Sequence, residues 1–202
     1  MEVKNNTINQ PFETYSKELR KICPELTDEE LTFMFKDVTT TKVNAKEVYL
    51  KPGEVQDSLA ICYKGLLRIV YKNDDGEDIT ISFIKERNYA TDYGAFISQT
   101  PTTFYIETLE PCVLLNVSYD SIQTCYSKFK NCEKYGRVIA EKHLINVQKR
   151  INEFLFNNAE QRYLNFISKN ANLLNRVSVT HLSSFLGIKR QTLTRIRKKL
   201  MR

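Results

Sequence analysis

The feature that most constrains this chain is a change of hydrophobic period near Ser118. From about Val43, short runs rich in Val, Ile, Tyr and Phe are broken by turn residues at close intervals. Val48-Tyr49-Leu50 precedes Pro52-Gly53, Leu59 to Tyr63 precedes Lys64-Gly65, and Leu66 to Tyr71 precedes Asn73-Asp74-Asp75-Gly76. Ile79 to Ile84, Phe104 to Leu109 and Val113 to Val117 follow. Short strands with Gly or Pro turns and no helices between them predict a small antiparallel sandwich or barrel. Asp75-Gly76 between two alternating runs is the strongest hairpin signal. After Ser118 the apolar spacing turns helical for most of the remaining chain. That order of periods predicts an α+β protein with its β-structure first, and 202 residues bury a core without disulfides.

Ahead of the strands, residues 12–37 are expected to be helical. Thr27-Asp28-Glu29-Glu30 has the spacing of a capping box, with Leu31, Phe33, Met34 and Phe35 as the apolar face. Behind them, residues 129–156 carry Gly136, Ala140, Leu144, Val147, Ile151 and Phe154 at spacings of four, four, three, four and three. That is the heptad pattern of a helix packed lengthwise on another, and it predicts a connector that dimerises; a helix packed only within its own subunit would show the same pattern. A second stripe, Tyr135, Val138, Ile139 and Ile145, is expected to face the β-domain. The division is therefore 1–128, 129–156 and 157–202.

Charge is strongly segregated. The last acidic residue is Glu160, and the 42 residues from 161 to 202 carry 10 of the 30 Lys and Arg, so this end is +10 while residues 1–160 are −4. Such a pole suits a polyanion, nucleic acid or an anionic membrane surface. Within it, Ser178 is a plausible N-cap for Val179 to Leu186, and after Gly187 the run Lys189 to Leu200 places Leu193, Ile196 and Leu200 on one face and basic or polar groups on the other. Two short helices joined at a glycine, the second strongly basic, predict a helix-turn-helix. A helix lying in the major groove must offer planar donors near its N-terminus. Arg190, Gln191, Thr194 and Arg195 occupy that position, Arg suited to guanine O6 and N7 and Gln to adenine N6 and N7. Lys198, Lys199 and Arg202 lie further along and suit phosphates, which set affinity and salt dependence.

A β-domain, a long helix and a C-terminal segment reading Leu182-Ser183-Ser184-Phe185-Leu186-Gly187-Ile188, then Thr192-Leu193-Thr194-Arg195-Ile196-Arg197, resemble a bacterial Crp/Fnr-type transcription regulator over nearly the whole chain. Ala159-Glu160-Gln161-Arg162-Tyr163 resembles the helix opening the DNA-binding domain in the subgroup common among Bacteroidetes. The resemblance implies an antiparallel β-roll (a double-stranded β-helix) like a cyclic-nucleotide-binding domain, a long dimerisation helix and a winged-helix-like helix-turn-helix. Its implied partners are double-stranded DNA on an inverted repeat, a second copy of the chain, RNA polymerase and an effector of unknown identity. It implies Arg190, Gln191 and Arg195 as base-reading residues; together with the reading of the helix itself, the expected DNA-binding residues are Lys189, Arg190, Gln191, Thr192, Thr194, Arg195, Lys198 and Lys199, and the heptad positions Ala140, Leu144, Val147, Ile151 and Phe154 are the expected dimer interface. Lys189 stands where a Ser or Thr cap is usual, which removes a capping oxygen worth about 1 kcal/mol.

Nucleotide-binding members cradle the cyclic phosphate with a Gly-Glu pair at a helix start and an Arg followed by Ser or Thr about ten residues on. Alignment by Pro111-Cys112 puts Thr91-Asp92 and Thr102-Thr103 at those places, so the phosphate-neutralising cation is absent. A buried phosphate without it would cost several kcal/mol. Cyclic AMP is therefore not the expected ligand; Asp92, Tyr93, Thr102, Thr103 and Tyr105 are expected either to line a pocket for another effector or to sit in one filled by its own side chains.

The competing reading is an effector-sensing adaptor whose basic tail holds RNA or anionic membrane without reading sequence. The narrow apolar stripe of Leu193, Ile196 and Leu200 lacks the bulky aromatic face of a membrane-surface helix and favours DNA. No P-loop, G-x-S-x-G or H-E-x-x-H occurs, so an enzyme is not expected. Five scattered cysteines with no C-x-x-C argue against a disulfide framework or a metal site, and no cofactor is expected. No apolar run reaches the roughly 18 residues of a spanning helix, and the first residues do not spell a signal peptide, so a cytoplasmic location is expected.

Overall fold

The computed structural model describes the backbone of residues 6–201 and the side chains of residue 13 and residues 15–201. The expected helical stretch at 12–37 is two helices, α1 (Asn6–Ile22) and α2 (Asp28–Phe35). Pro24 and the capping box divide them: Thr27 Oγ1 accepts from the Glu30 amide at 3.2 Å, and Glu30 Oε2 accepts from the Thr27 amide at 2.8 Å. A box satisfies two orphan donors at once, and it starts a new helix at that residue.

Eight strands follow: β1 (Thr39–Val43), β2 (Val48–Leu50), β3 (Ser58–Lys64), β4 (Leu67–Lys72), β5 (Asp78–Ile84), β6 (Tyr89–Ala90), β7 (Tyr105–Thr108) and β8 (Cys112–Ser118). They form two antiparallel four-stranded sheets, ordered β1-β8-β3-β6 and β2-β7-β4-β5, with one short helix, α3 (Tyr93–Ser98), between β6 and β7. Leu50, Ala60, Cys62, Leu67, Ile84, Ile106 and Leu114 fill the space between the sheets. The Asp75-Gly76 signal is the β4–β5 hairpin, with Lys72 opposite Asp78 and Gly76 at a φ of +78°.

From Tyr119 onward the described residues contain helices and turns but no strand. They are α4 (Tyr119–Lys128), α5 (Lys130–Phe156), α6 (Ala159–Asn170), a single 3₁₀ turn at Ala171–Leu173, α7 (Val179–Leu186) and α8 (Arg190–Leu200). The wing expected of a winged helix thus has no counterpart among them. With 27 residues, α5 extends about 40 Å. Its first turns are buried against α1 and α4 through Cys132, Tyr135 and Ile139. Gly136, expected in the seam, belongs to this packing instead: a Cβ there would run into the phenol ring of Tyr126 on α4. No described helix is long and apolar enough to cross a membrane.

The helices after α5 share a core with the β-domain. Leu66, from the turn before β4, is buried with Tyr163, Phe166, Leu173, Leu182, Leu186, Leu193 and Ile196, and Phe83 and Leu109 pack on the same cluster. Helix α7 lies along β5, where Ser184 Oγ accepts from the Thr80 amide and donates to the Asp78 carbonyl, both at 2.9 Å. One hydroxyl thus satisfies two backbone groups of the sheet edge.

Candidate nucleic-acid interface

Helix α7 starts where Ser178 Oγ accepts from the His181 amide at 3.0 Å, and it ends at Gly187, in the left-handed region with a φ of +64°. The Gly187 amide closes onto Ser183 and Ser184, and the chain turns into α8. Helix α8 begins at Lys189 without a side-chain cap, as the missing Ser or Thr implied. Leu193 and Ile196 are buried in the helical core, which fixes the rotation of α8 about its axis. Leu200, expected on the same apolar face, is 43% exposed.

That rotation brings Arg190, Gln191, Thr194, Arg195 and Lys198 together on the open side, where they line a concavity of about 550 Å³. All five are exposed, as are Lys189 and Lys199, whereas Thr192 is half-buried. Thr194 Oγ1 donates to the Arg190 carbonyl at 3.1 Å, which leaves the long side chains as the outward donors. Lys199 bonds to both Glu160 carboxylate oxygens, at 3.0 and 2.7 Å. Arg197, on the flank, donates to the Tyr163 hydroxyl at 3.1 Å and ties α8 to α6. Arg202 lies outside the described residues.

The expected dimer seam is exposed along α5. Leu144 is 67% exposed, Ile151 53% and Val147 43%, while Ala140 is half-buried. Phe154 has a second attachment: its ring carries the Arg150 guanidinium at 4.4 Å and the Arg162 guanidinium at 5.1 Å, and its edge packs under Gly187. Of the second stripe, Tyr135 and Ile139 face the core near α1 and α4, but Ile145 is 48% exposed and does not face the β-domain as expected.

The residues expected around an effector pocket are partly bonded to one another. Asp92 caps α3, with Oδ1 accepting from the Ala95 amide at 3.4 Å, while Oδ2 accepts from Thr102 Oγ1 at 2.7 Å. A carboxylate therefore occupies the mouth of α3, and Thr102 is buried beneath it. Tyr93 stacks on His143 of α5 with ring centroids 4.5 Å apart, Tyr105 is half-buried on β7, and Thr103 is exposed. Burial lowers the pKa of His143, and Asp92 partly opposes that shift.

Several joints escaped sequence reasoning. Arg176, between the 3₁₀ turn and α7, is held by Glu86 at 2.8 and 3.0 Å and by Glu110 at 2.8 and 2.9 Å. The Arg176 bond holds Glu86 down to about 2 against the cost of burial. Arg68 on β4, with its side chain 5% exposed, reaches Glu107 at 2.5 Å, Asp78 at 2.9 Å and Thr80 at 3.0 Å. His181 of α7 neighbours this network, and burial followed by the Arg68 charge lowers its pKa. All five cysteines are buried and free.

Residues 40–129 match the cyclic nucleotide-binding domain family. Among solved structures, the c-di-GMP-responsive global regulator CLP of Xanthomonas campestris is 17% identical with a TM-score of 0.68, covering 87% of this chain and 92% of that one. FixK2 of Bradyrhizobium japonicum is 14% identical with a TM-score of 0.71, over 81% of this chain and 84% of that one. A CooA variant of Carboxydothermus hydrogenoformans is 15% identical with a TM-score of 0.67, over 83% and 78%. No curated protein matches this chain in sequence. The chain therefore carries a domain matching the cyclic nucleotide-binding family at residues 40–129 and is similar in fold, over most of its length, to these solved structures.

Proposed function

We propose that this protein is a sequence-specific transcription regulator of Crp/Fnr type, binding double-stranded DNA as a homodimer. The observation that carries the reading is α8: one face is buried through Leu193 and Ile196, and the other presents Arg190, Gln191, Thr194, Arg195 and Lys198 as one continuous surface. Helix α7 and Gly187 form the preceding helix and turn of a helix-turn-helix, and the fold likeness to a global regulator supports the same assignment. In this reading Arg190, Gln191 and Arg195 read base edges, Thr192 and Thr194 lie beside them, and Lys189, Lys198 and Lys199 meet phosphates.

The parts are a sensor domain at 1–128, a dimerisation helix at 129–156 and a DNA-binding unit at 157–202. The exposed Leu144, Val147 and Ile151, with Ala140 and part of Phe154, pair two copies along α5. Two-fold symmetry then calls for an inverted repeat with half-sites about one helical turn apart. The β-domain does not take cyclic AMP in the Gly-Glu and Arg mode, because the mouth of α3 holds the Asp92 carboxylate and Thr102 stands where the cation is needed. Any effector acts by its differential affinity for two arrangements of the helices.

The test is selection of bound duplexes from a random-sequence DNA pool at near-physiological salt, with protein free of added nucleotide. An enriched inverted repeat is expected. Salt-sensitive retention with no enriched sequence would overturn the reading in favour of a basic tail that holds RNA or anionic membrane.

A further inference from the structure

A cleft of about 550 Å³ lies where the β-domain, α5, α6 and α7 meet, away from the α3 mouth and from the outer face of α8. Five cations line it: Lys85 from the end of β5, Lys149 and Arg150 from α5, and Arg162 and Lys169 from α6. Among the described residues the one carboxylate on its wall, Glu153, is bonded to Lys169 at 2.9 Å. Among the described residues Lys85 reaches the neutral Asn170 amide oxygen at 3.3 Å and no carboxylate.

The two guanidiniums are the telling feature. Arg150 stacks on the Phe185 ring at 3.8 Å and donates to the Phe185 carbonyl; Arg162 donates to the carbonyls of Leu186 at 3.0 Å and Asn157 at 2.7 Å. Both are half-buried, both lie over Phe154, and among the described residues neither makes an ion pair. Burial and the neighbouring Arg162 charge pull Arg150 down to about 10 against the opposing pull of Glu153. Five cations facing a single carboxylate, itself bonded to Lys169, leave an excess of positive charge that is costly where partly desolvated unless an anion joins them.

We infer that this cleft is a binding site for a polyphosphate group, with Lys85, Lys149, Arg150, Arg162 and Lys169 as its ligands. Its volume suits a small molecule of nucleotide size, and Arg forks with Lys point charges are the usual partners of phosphate oxygens. On α5, Lys149 and Glu153 lie nearly half a turn, and Arg150 about a quarter turn, from the Leu144, Val147 and Ile151 stripe, so pairing of two copies along that stripe leaves the Lys149 side of the cleft open. A polyphosphate there joins the end of β5 to α5 and α6 at once and sets the angle at Asn157, where α5 gives way to α6. This consequence rests on the regulator reading; the binding itself does not.

The experiment is calorimetric titration of the full chain with sodium tripolyphosphate, ATP and adenosine at constant ionic strength. Tripolyphosphate and ATP are expected to bind and adenosine is not; tighter binding of ATP assigns the site to a nucleotide, and equal binding to the bare phosphate chain. The exposed α8 lysines offer the competing site. Lys85→Gln with Lys149→Gln is expected to weaken tripolyphosphate at least about tenfold, while Lys198→Gln with Lys199→Gln changes it by less than about twofold. No binding of tripolyphosphate to the unaltered protein, or loss of binding in the α8 pair but not the cleft pair, overturns the proposal. A lower salt slope for DNA in the cleft pair also overturns it, by assigning the cleft to the DNA backbone. Tripolyphosphate binding without any enriched DNA sequence would sink the regulator reading and leave the site standing.

Discussion

Arg195 and Lys199 lie one turn apart on α8 in different surroundings. Arg195 is exposed in the concavity and, among the described residues, no carboxylate bonds to it, whereas Lys199 is bonded to Glu160 on the flank. Arg195→Ala is expected to cost roughly 1 to 3 kcal/mol of DNA affinity and to relax base preference at one position per half-site. Lys199→Ala is expected to weaken all sequences alike and to lower the salt slope by about one. Binding measured on a panel of single-base operator variants at several salt concentrations separates the two; an even loss across sequences for both variants would contradict the division of roles. Residue identity and spacing already suggest this division, and the burial of Leu193 and Ile196 agrees with the side of α8 they assign to the core.

Among the elements, α5 carries one periodic pattern of which only the first part is packed within the chain. Its heptad positions were legible in the sequence, yet Gly136 packs under Tyr126 within the chain, and the exposed part of the stripe begins only after it, from half-buried Ala140 to exposed Leu144. Phe154 sits between both worlds, holding two guanidiniums and the turn at Gly187. Ile151 is 53% exposed in the single chain. Ile151→Glu is therefore expected to leave the helical content unchanged and to convert the dimer into monomer, since a charge in an a/d seam meets its own symmetry mate. Sedimentation equilibrium checks it: an intact dimer in this variant would place the interface elsewhere.

At the scale of the whole molecule, the C-terminal helices are tied to the β-domain by Leu66 in their core, by Ser184 on the edge of β5 and by Arg176 between Glu86 and Glu110. The Glu86 carboxyl is held down from 4.5 to about 2, chiefly by the Arg176 bond. A carboxylate whose folded pKa is depressed stabilises the fold above its unfolded pKa and loses that contribution as the pH falls toward the folded value. Stability is thus expected to decline as the pH drops from about 4.5 toward 2, and Arg176→Gln should flatten that part of the profile while lowering stability at neutral pH. Urea unfolding midpoints across this range measure it; parallel profiles for the two proteins would mean the clamp contributes nothing.

The sequence by itself determined the local elements: most strands, the β4–β5 hairpin, the caps at Thr27 and Ser178, the break at Gly187 and the basic face of α8. Each rests on side chains a few residues apart, through a period, a cap or a turn that the chain carries locally. It did not reveal β1, whose Thr39-Thr40-Thr41-Lys42-Val43 shows no alternation and becomes a strand by pairing with β8, nor β6, two residues long beside β3. Tertiary structure alone decided the rest. Arg176 finds its carboxylates 66 and 90 residues away, and Ser184 meets β5 more than a hundred residues upstream. Arg150 and Arg162 come together only when α6 folds back beside α5. Such contacts leave no periodic trace because the chain between them is free to vary in length and composition; their energy depends on burial and charge proximity that exist only once the layers have packed.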